Sequence, residues 1–266
     1  MTNVEATLGP AFLGDKATVL LGEQTVRSLF VNIYRVYRHH FGVIFWCCVL
    51  PLIPAVALVH AAQGGSIGWM LASNVPYFVA LFIVTAALTI ALSDICLGNR
   101  ASVRCSYGRI FQNSRWLQVI AMALVVTVGV YLGFLLLVVP GMWFAGRSLF
   151  TSTVIVLEGR RGGAAVRRSM ELTKGQYWRI FGLLFLPVLA AQVLTVLLVA
   201  VVALAAPTLL ETSSLLVFRL FSFFVSVLST GVFLPIISLT TVLLYYDQRF
   251  RREAYDAQAL SEDLMR

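Results

Sequence analysis

Charge is scarce in this chain: 12% of its 266 residues are Asp, Glu, Lys or Arg, against 59% that are hydrophobic. That ratio excludes an ordinary soluble surface, so lipid must solvate much of the protein. Acidic residues are the scarcer sign, 12 against 20 Lys and Arg, which leaves a formal net charge of +8. Histidine is nearly absent, and Cys47, Cys48, Cys96 and Cys105 have no zinc or redox spacing, so reduced structural thiols are expected and no metal site. No glycine-rich nucleotide loop, Ser-His-Asp set or carboxylate pair in a plausible common cavity occurs. These gaps argue against an enzyme and imply no cofactor. The spans carry no carboxylate near their centres, Asp94 and Glu158 lying at span ends, which argues against a proton-coupled carrier.

Long apolar blocks are what the chain has instead. A helix crosses the hydrocarbon core in about 20 residues, at about 1.5 Å of rise each. Six blocks meet or approach that length, at about 41–63, 75–95, 116–139, 142–157, 180–207 and 215–246. The expected fold is therefore all-α, a polytopic membrane bundle of six transmembrane helices in one domain, 23–256. A flexible leader, 1–22, precedes it and a tail, 257–266, follows. The leader lacks the basic start and apolar centre of a signal peptide, so the first block serves as an uncleaved anchor. Pro140-Gly141 marks the break between the third and fourth blocks, and Pro51, Pro54, Pro187 and Pro235 are expected to kink their helices.

The basic residues cluster between blocks. Arg27, Arg35 and Arg38 precede the first, and Arg100, Arg104, Arg109 and Arg115 separate the second from the third. Arg160, Arg161, Arg167, Arg168, Lys174 and Arg179 separate the fourth from the fifth, and Arg249, Arg251 and Arg252 follow the sixth. The positive-inside rule puts all four clusters, and both termini, in the cytoplasm of a multi-pass protein of the bacterial inner membrane. Placed there, the +8 charge faces anionic lipid headgroups, and nucleic acid is not expected as a partner.

Three of the basic segments read as amphipathic interfacial helices. In the first, Val26, Leu29, Phe30, Ile33, Val36 and Tyr37 share a face; Val166, Met170 and Thr173 do so in another, and Val103, Tyr107, Ile110 and Phe111 in a third, weaker case. The stretch from Val26 to Phe45 aligns without gaps to that from Val166 to Phe185, matching Tyr37 with Tyr177 and one F-G-x-x-F with the other. The implied repeat is a basic helix followed by a membrane hairpin, used three times, with the middle copy around Tyr107 to Trp116 matching loosely.

Candidate contacts to lipid headgroups are Arg27, Arg35, Arg38, His39, His40, Arg167, Arg168 and Arg179. Arg147 and Arg219 stand a few residues inside their blocks, both expected in the outer part of the membrane. Each either snorkels to the interface or joins the other in binding an anionic group such as phosphate. The segment Tyr245 to Asp256 reads as aromatic interface anchors followed by a solvated helix with Asp247–Arg251 and Arg249–Glu253 pairs.

An ordered set of residues resembles a known family. Pro140-Gly141, Arg147, Val156-Leu157-Glu158-Gly159, Ala164-Ala165, Arg168-Ser169, Leu172-Thr173-Lys174-Gly175, Trp178-Arg179 and Tyr245-Tyr246-Asp247 with Arg249 and Arg251 are similar to the membrane-domain family named after glycerophosphoryl diester phosphodiesterase. The leading RVYRHHFG from Arg35 is similar to that family's start. Some relatives fuse this region to a soluble phosphodiesterase domain; others are stand-alone bacterial inner-membrane proteins. With only a short tail after the last block, the resemblance implies a stand-alone member without the catalytic domain. The expected role is a non-enzymatic membrane protein that engages anionic lipids in envelope lipid handling or membrane organisation. The alternative is a transporter or a membrane subunit of an export or immunity complex, with Arg147 and Arg219 in an anion-accepting cavity. A protein partner or a second copy of the chain is the further expectation.

Overall fold

In the computed structural model, residues 25–96, 101–112, 115–212 and 215–253 are described. The expected leader 1–22 and tail 257–266 lie outside them. The described residues form nine helices and no strand: α1 (Val26–Ala62), α2 (Ile67–Cys96), α3 (Val103–Gln112), α4 (Arg115–Leu136), α5 (Val138–Arg147), α6 (Thr151–Leu157), α7 (Gly163–Thr173), α8 (Tyr177–Thr212) and α9 (Leu215–Glu253). Five stretches are long and apolar enough to cross a membrane: Val26–Ala62, Ile67–Cys96, Trp116–Leu136, Tyr177–Leu198 and Arg219–Arg252. The protein is thus a multi-pass helical membrane protein.

α1 begins under a capping box in which Thr25 and Ser28 satisfy one another's backbone N–H groups. Its basic segment runs directly into the first span, the two parted by a kink at His40 (φ −116°, ψ 18°). Pro51 and Pro54 sit within the continuous helix.

The fourth expected span differs from the sequence reading. The boundary between the third and fourth blocks falls at Leu137, three residues before Pro140, and residues 142–157 hold a further break at Ser148–Phe150 that divides them between two short helices. Pro140 lies in the first turn of α5, where its missing N–H has no intrahelical partner to lose. At the second break, Ser148 Oγ donates to the Phe144 carbonyl, and the Phe150 N–H donates to Ser169 Oγ on α7. α5 lies close along α4: a methyl at Gly133 would stand 2.8 Å from the Gly141 Cα. This close approach uses small residues as membrane helix pairs do.

The packed core occupies one end of the bundle. In α2, Val84, Leu88, Leu92 and Cys96 are fully buried, whereas Ile67, Trp69, Val75 and Phe78 are exposed. In α9, Leu239, Val242, Leu243 and Tyr245 are fully buried, whereas Leu220, Phe221, Phe224 and Leu228 are exposed. The buried end is also the end that carries Asp94, Glu158 and Asp247. The exposed apolar half is what a bilayer solvates, because burial of apolar surface brings little gain when lipid is the alternative.

Candidate functional site: the charged end of the bundle

Three carboxylates near helix ends organise the charged end. Asp94, at the end of α2, accepts from Arg109 of α3 at 3.1 Å. Glu158, after α6, pairs with Arg168 of α7 at 3.1 Å and Arg160 at 2.8 Å, and accepts from the Tyr245 hydroxyl at 2.9 Å. Asp247, with a fully buried side chain, pairs with Arg179 of α8 at 2.8 Å and Arg251 at 3.0 Å. Buried carboxylates need such partners, since an unpaired charge in a poorly polarisable surrounding is costly.

The run Tyr245-Tyr246-Asp247-Gln248 is therefore core rather than an interface belt, which corrects the reading of these residues as anchors opening a solvated helix. Tyr245 reaches Glu158, Tyr246 meets Ser93 of α2, and Gln248 donates to Gln176 before α8 at 3.2 Å. The expected i,i+4 pair Asp247–Arg251 is present. The Glu253 side chain of the second expected pair lies outside the described residues, while Arg249 stacks over the Tyr245 ring at 5.7 Å. Apolar periodicity marks which face is inward; it carries no information about polar residues that are inward because a distant cation awaits them.

The amphipathic helices also settle onto protein. Leu29, Ile33 and Val36 of α1 are buried in the core, as are Ile110 of α3 and Leu172 of α7. Of the residues expected at headgroups, Arg27, Arg35, Arg38, His39, His40 and Arg167 are exposed. Arg168 and Arg179 instead turn inward to Glu158 and Asp247. Desolvation and the neighbouring His39 lower the pKa of His40 from its ordinary 6.5.

Arg147 and Arg219 are not brought together. Arg147 donates to the Met170 carbonyl of α7 at 3.0 Å and lies over the Trp143 ring at 5.1 Å, next to the charged end. Arg219 donates to the Gln63 carbonyl at 2.7 Å, beyond the other end of α1. Phe150 packs on Tyr245, and Tyr245 and Arg219 are separated along α9 by about 39 Å at 1.5 Å per residue. Close by, α2, α4, α5 and α6 border a half-open cavity of about 220 Å³ that Phe82, Thr127, Ala145, Thr151 and Ser152 help to line. The Thr151 hydroxyl has no partner among the described residues.

The repeat acquires a three-dimensional meaning. Tyr37, Tyr107 and Tyr177 fall at even intervals along the chain, each followed four residues later by a phenylalanine, Phe41, Phe111 or Phe181. Each hydroxyl donates to a main-chain carbonyl of another repeat: Tyr37 to Val232 in the third at 3.1 Å, Tyr107 to Cys47 in the first at 2.8 Å, Tyr177 to Met142 in the second at 2.7 Å. These contacts close a ring, first to third, second to first and third to second. Burial raises the Tyr107 pKa far above its ordinary value, so its proton is held for donation. The loosely matching middle copy thus makes the same contact as its neighbours. Its signal in the sequence was the even Tyr-x-x-x-Phe spacing, which overall similarity obscured.

Among the described residues no three His, Cys, Asp or Glu side chains gather as a metal site requires. What fold and site define is a multi-pass helical membrane protein whose repeats are clasped at one end by ion pairs to largely covered carboxylates and by tyrosine bridges. The family model for the membrane domain of glycerophosphoryl diester phosphodiesterase matches residues 110–262, more than half of the chain, and the chain belongs to that family. The match takes in Glu158, Arg168, Arg179 and Asp247, whereas RVYRHHFG precedes it. No curated protein and no solved structure matches the chain.

Proposed function

We propose that this protein is a non-enzymatic membrane component that engages anionic lipids through exposed arginines at its charged end, in envelope lipid handling or membrane organisation. In this reading the charged end faces the cytoplasm of a bacterial inner membrane and both termini lie on that side, because the basic clusters collect there. The observation that carries the proposal is a division of labour among the arginines. Arg109, Arg168, Arg179 and Arg251 pair with buried carboxylates, while Arg27, Arg35, Arg38 and Arg167 remain exposed on helices whose apolar faces are held by the bundle. Helices so fixed present their charge in a set geometry to the headgroup layer, where each basic residue contributes on the order of 1 kcal/mol of attraction to an anionic surface.

Extraction of the protein with a patch of its own membrane in polymer nanodiscs tests this. Phospholipids with net negative headgroups are expected to be enriched over the bulk membrane, and the enrichment to shrink as salt is raised. A lipid composition identical to the bulk at low salt would sink the proposal. An anion-conducting path lined jointly by Arg147 and Arg219 has no support from the geometry, since the two guanidinium groups sit toward opposite ends of α9.

A further inference from the structure

The ring of repeats has two junctions built alike and one built differently. Where the first repeat meets the second, the carboxylate ending the hairpin, Asp94, takes Arg109 from the next repeat's leading helix. Where the second meets the third, Glu158 takes Arg168 from the next leading helix. At the closing junction Asp247 takes Arg179 and Arg251 from its own repeat. The leading helix of the first repeat is left with Arg27, Arg35 and Arg38 exposed, and no described carboxylate pairs with them. From Thr25 through Ser93 the chain contains no acidic residue, so α1 supplies no counter-charge of its own. The gapless alignment puts Gly175 and Trp178 of the third repeat where the first has Arg35 and Arg38, so the third repeat keeps only the Arg27 position, as Arg167, and lacks the full stripe.

We infer that the outward stripe of α1 is a binding site for the phosphate headgroup of an anionic phospholipid, whose acyl chains lie along the same helix beyond its kink. The inference rests on the lipid-engaging reading above and narrows it to one helix. Arg27, Arg35 and Arg38 recur at helical spacing with Val31 and Tyr34 between them, and these two apolar side chains are 47% and 65% exposed. A soluble phosphate would gain nothing from Val31 and Tyr34, whereas a lipid interface covers them and the aromatic ring sits at headgroup depth. Past His40 the exposed side chains of α1 are wholly apolar or aromatic: Phe41, Trp46, Leu50 and Ile53. Cations therefore give way to hydrocarbon-facing residues at the kink, which matches the order of headgroup and chain in a lipid. Gly42 lies at that transition, exposed, and a methyl group added there would meet nothing within 4 Å. Glycine weakens a helix interior, and its use here leaves backbone that a glycerol ester or acyl chain can approach closely. The guanidinium fork suits the phosphate oxygens, and the arginines need no titration to keep their charge.

The test is native mass spectrometry of the full chain from nanodiscs of phosphatidylglycerol and phosphatidylcholine. The wild type is compared with the triple variant Arg27→Gln, Arg35→Gln, Arg38→Gln and with a charge-matched control at exposed arginines, Arg104→Gln, Arg161→Gln, Arg252→Gln. The first triple variant is expected to lose retained phosphatidylglycerol about a hundredfold, at roughly fivefold per arginine, and the control to stay within a few fold of wild type. Loss in the control alone would overturn the assignment to α1 and leave the broader lipid reading standing. Retention by both variants would overturn both, as would a wild type that retains no phosphatidylglycerol. Gly42→Leu keeps every charge and guards against a folding artefact: weaker retention with an unchanged melting midpoint is expected, and full retention would overturn the chain path along α1. Millimolar glycerol phosphate is expected not to displace the lipid; displacement would overturn the assignment to a lipid rather than a free phosphate.

Discussion

Replacing Asp247 with alanine is expected to destabilise the protein by about 3–5 kcal/mol, the cost of stranding buried cations by removing their partner. The Asp247 side chain is fully buried, and the arginines it holds, Arg179 and Arg251, are mostly covered as well. Both would lose this carboxylate, and Gln248, which also donates to Asp247, would lose a contact. Arg160→Gln is the control: its side chain is 47% exposed beside Glu158, and a pair so open to solvent contributes about 0–1 kcal/mol. Unfolding midpoints of both variants in bicelles, with yield of folded protein as a second measure, decide the matter. Equal effects of the two would mean that the ion pair at Asp247 does not hold α8 to α9. Asp247→Asn keeps the shape and some hydrogen bonding but not the charge, so it should fall between them.

Tyr107→Phe is expected to cost about 1–3 kcal/mol, more than the loss of an ordinary hydrogen bond, because it leaves a carbonyl unsatisfied. The acceptor is the Cys47 carbonyl, four residues before Pro51. In a regular helix that oxygen would accept from residue 51, but proline has no N–H to offer. The Tyr107 hydroxyl reaches across from the second repeat and fills the vacancy. Pro51→Ala restores a donor within the helix, so Tyr107→Phe in that background should cost less by about 1 kcal/mol, a coupling that a double-mutant cycle measures. Strict additivity would refute the assignment. Tyr37→Phe makes a useful contrast, since Val232 sits four residues before Ile236, which retains its N–H; a smaller loss is expected there.

Much of the architecture was legible without coordinates. The apolar blocks located the long helices, although α1, α2 and α9 extend beyond theirs into Val26–Ala62, Ile67–Cys96 and Leu215–Glu253, and the kink falls at His40, between the expected interfacial helix and the expected first span. The repeat was visible between the first and third copies through Tyr37 and Tyr177, and the structure adds Tyr107 by its contact with Cys47. The boundary expected at Pro140-Gly141 falls three residues earlier, at Leu137, because proline breaks a helix in its interior yet is accommodated in its first turn. The second interruption, at Ser148–Phe150, depends on Ser169, a hydroxyl from another helix, and nothing local announces it.

The arginines divide the two kinds of knowledge most clearly. Sequence alone determined that this is a helical membrane protein and that its cations gather between its apolar segments, because hydropathy and charge are sums over neighbouring residues; it read six such segments where five are long and apolar enough to cross a membrane. It could not sort Arg168 and Arg179 from Arg35 and Arg38, which look alike in composition and spacing. Tertiary structure decided that the first two meet Glu158 and Asp247 while the last two remain exposed. The physical reason is that an ion pair needs a partner within about 4 Å, and that separation is set by how helices distant in the chain are packed rather than by the residues on either side.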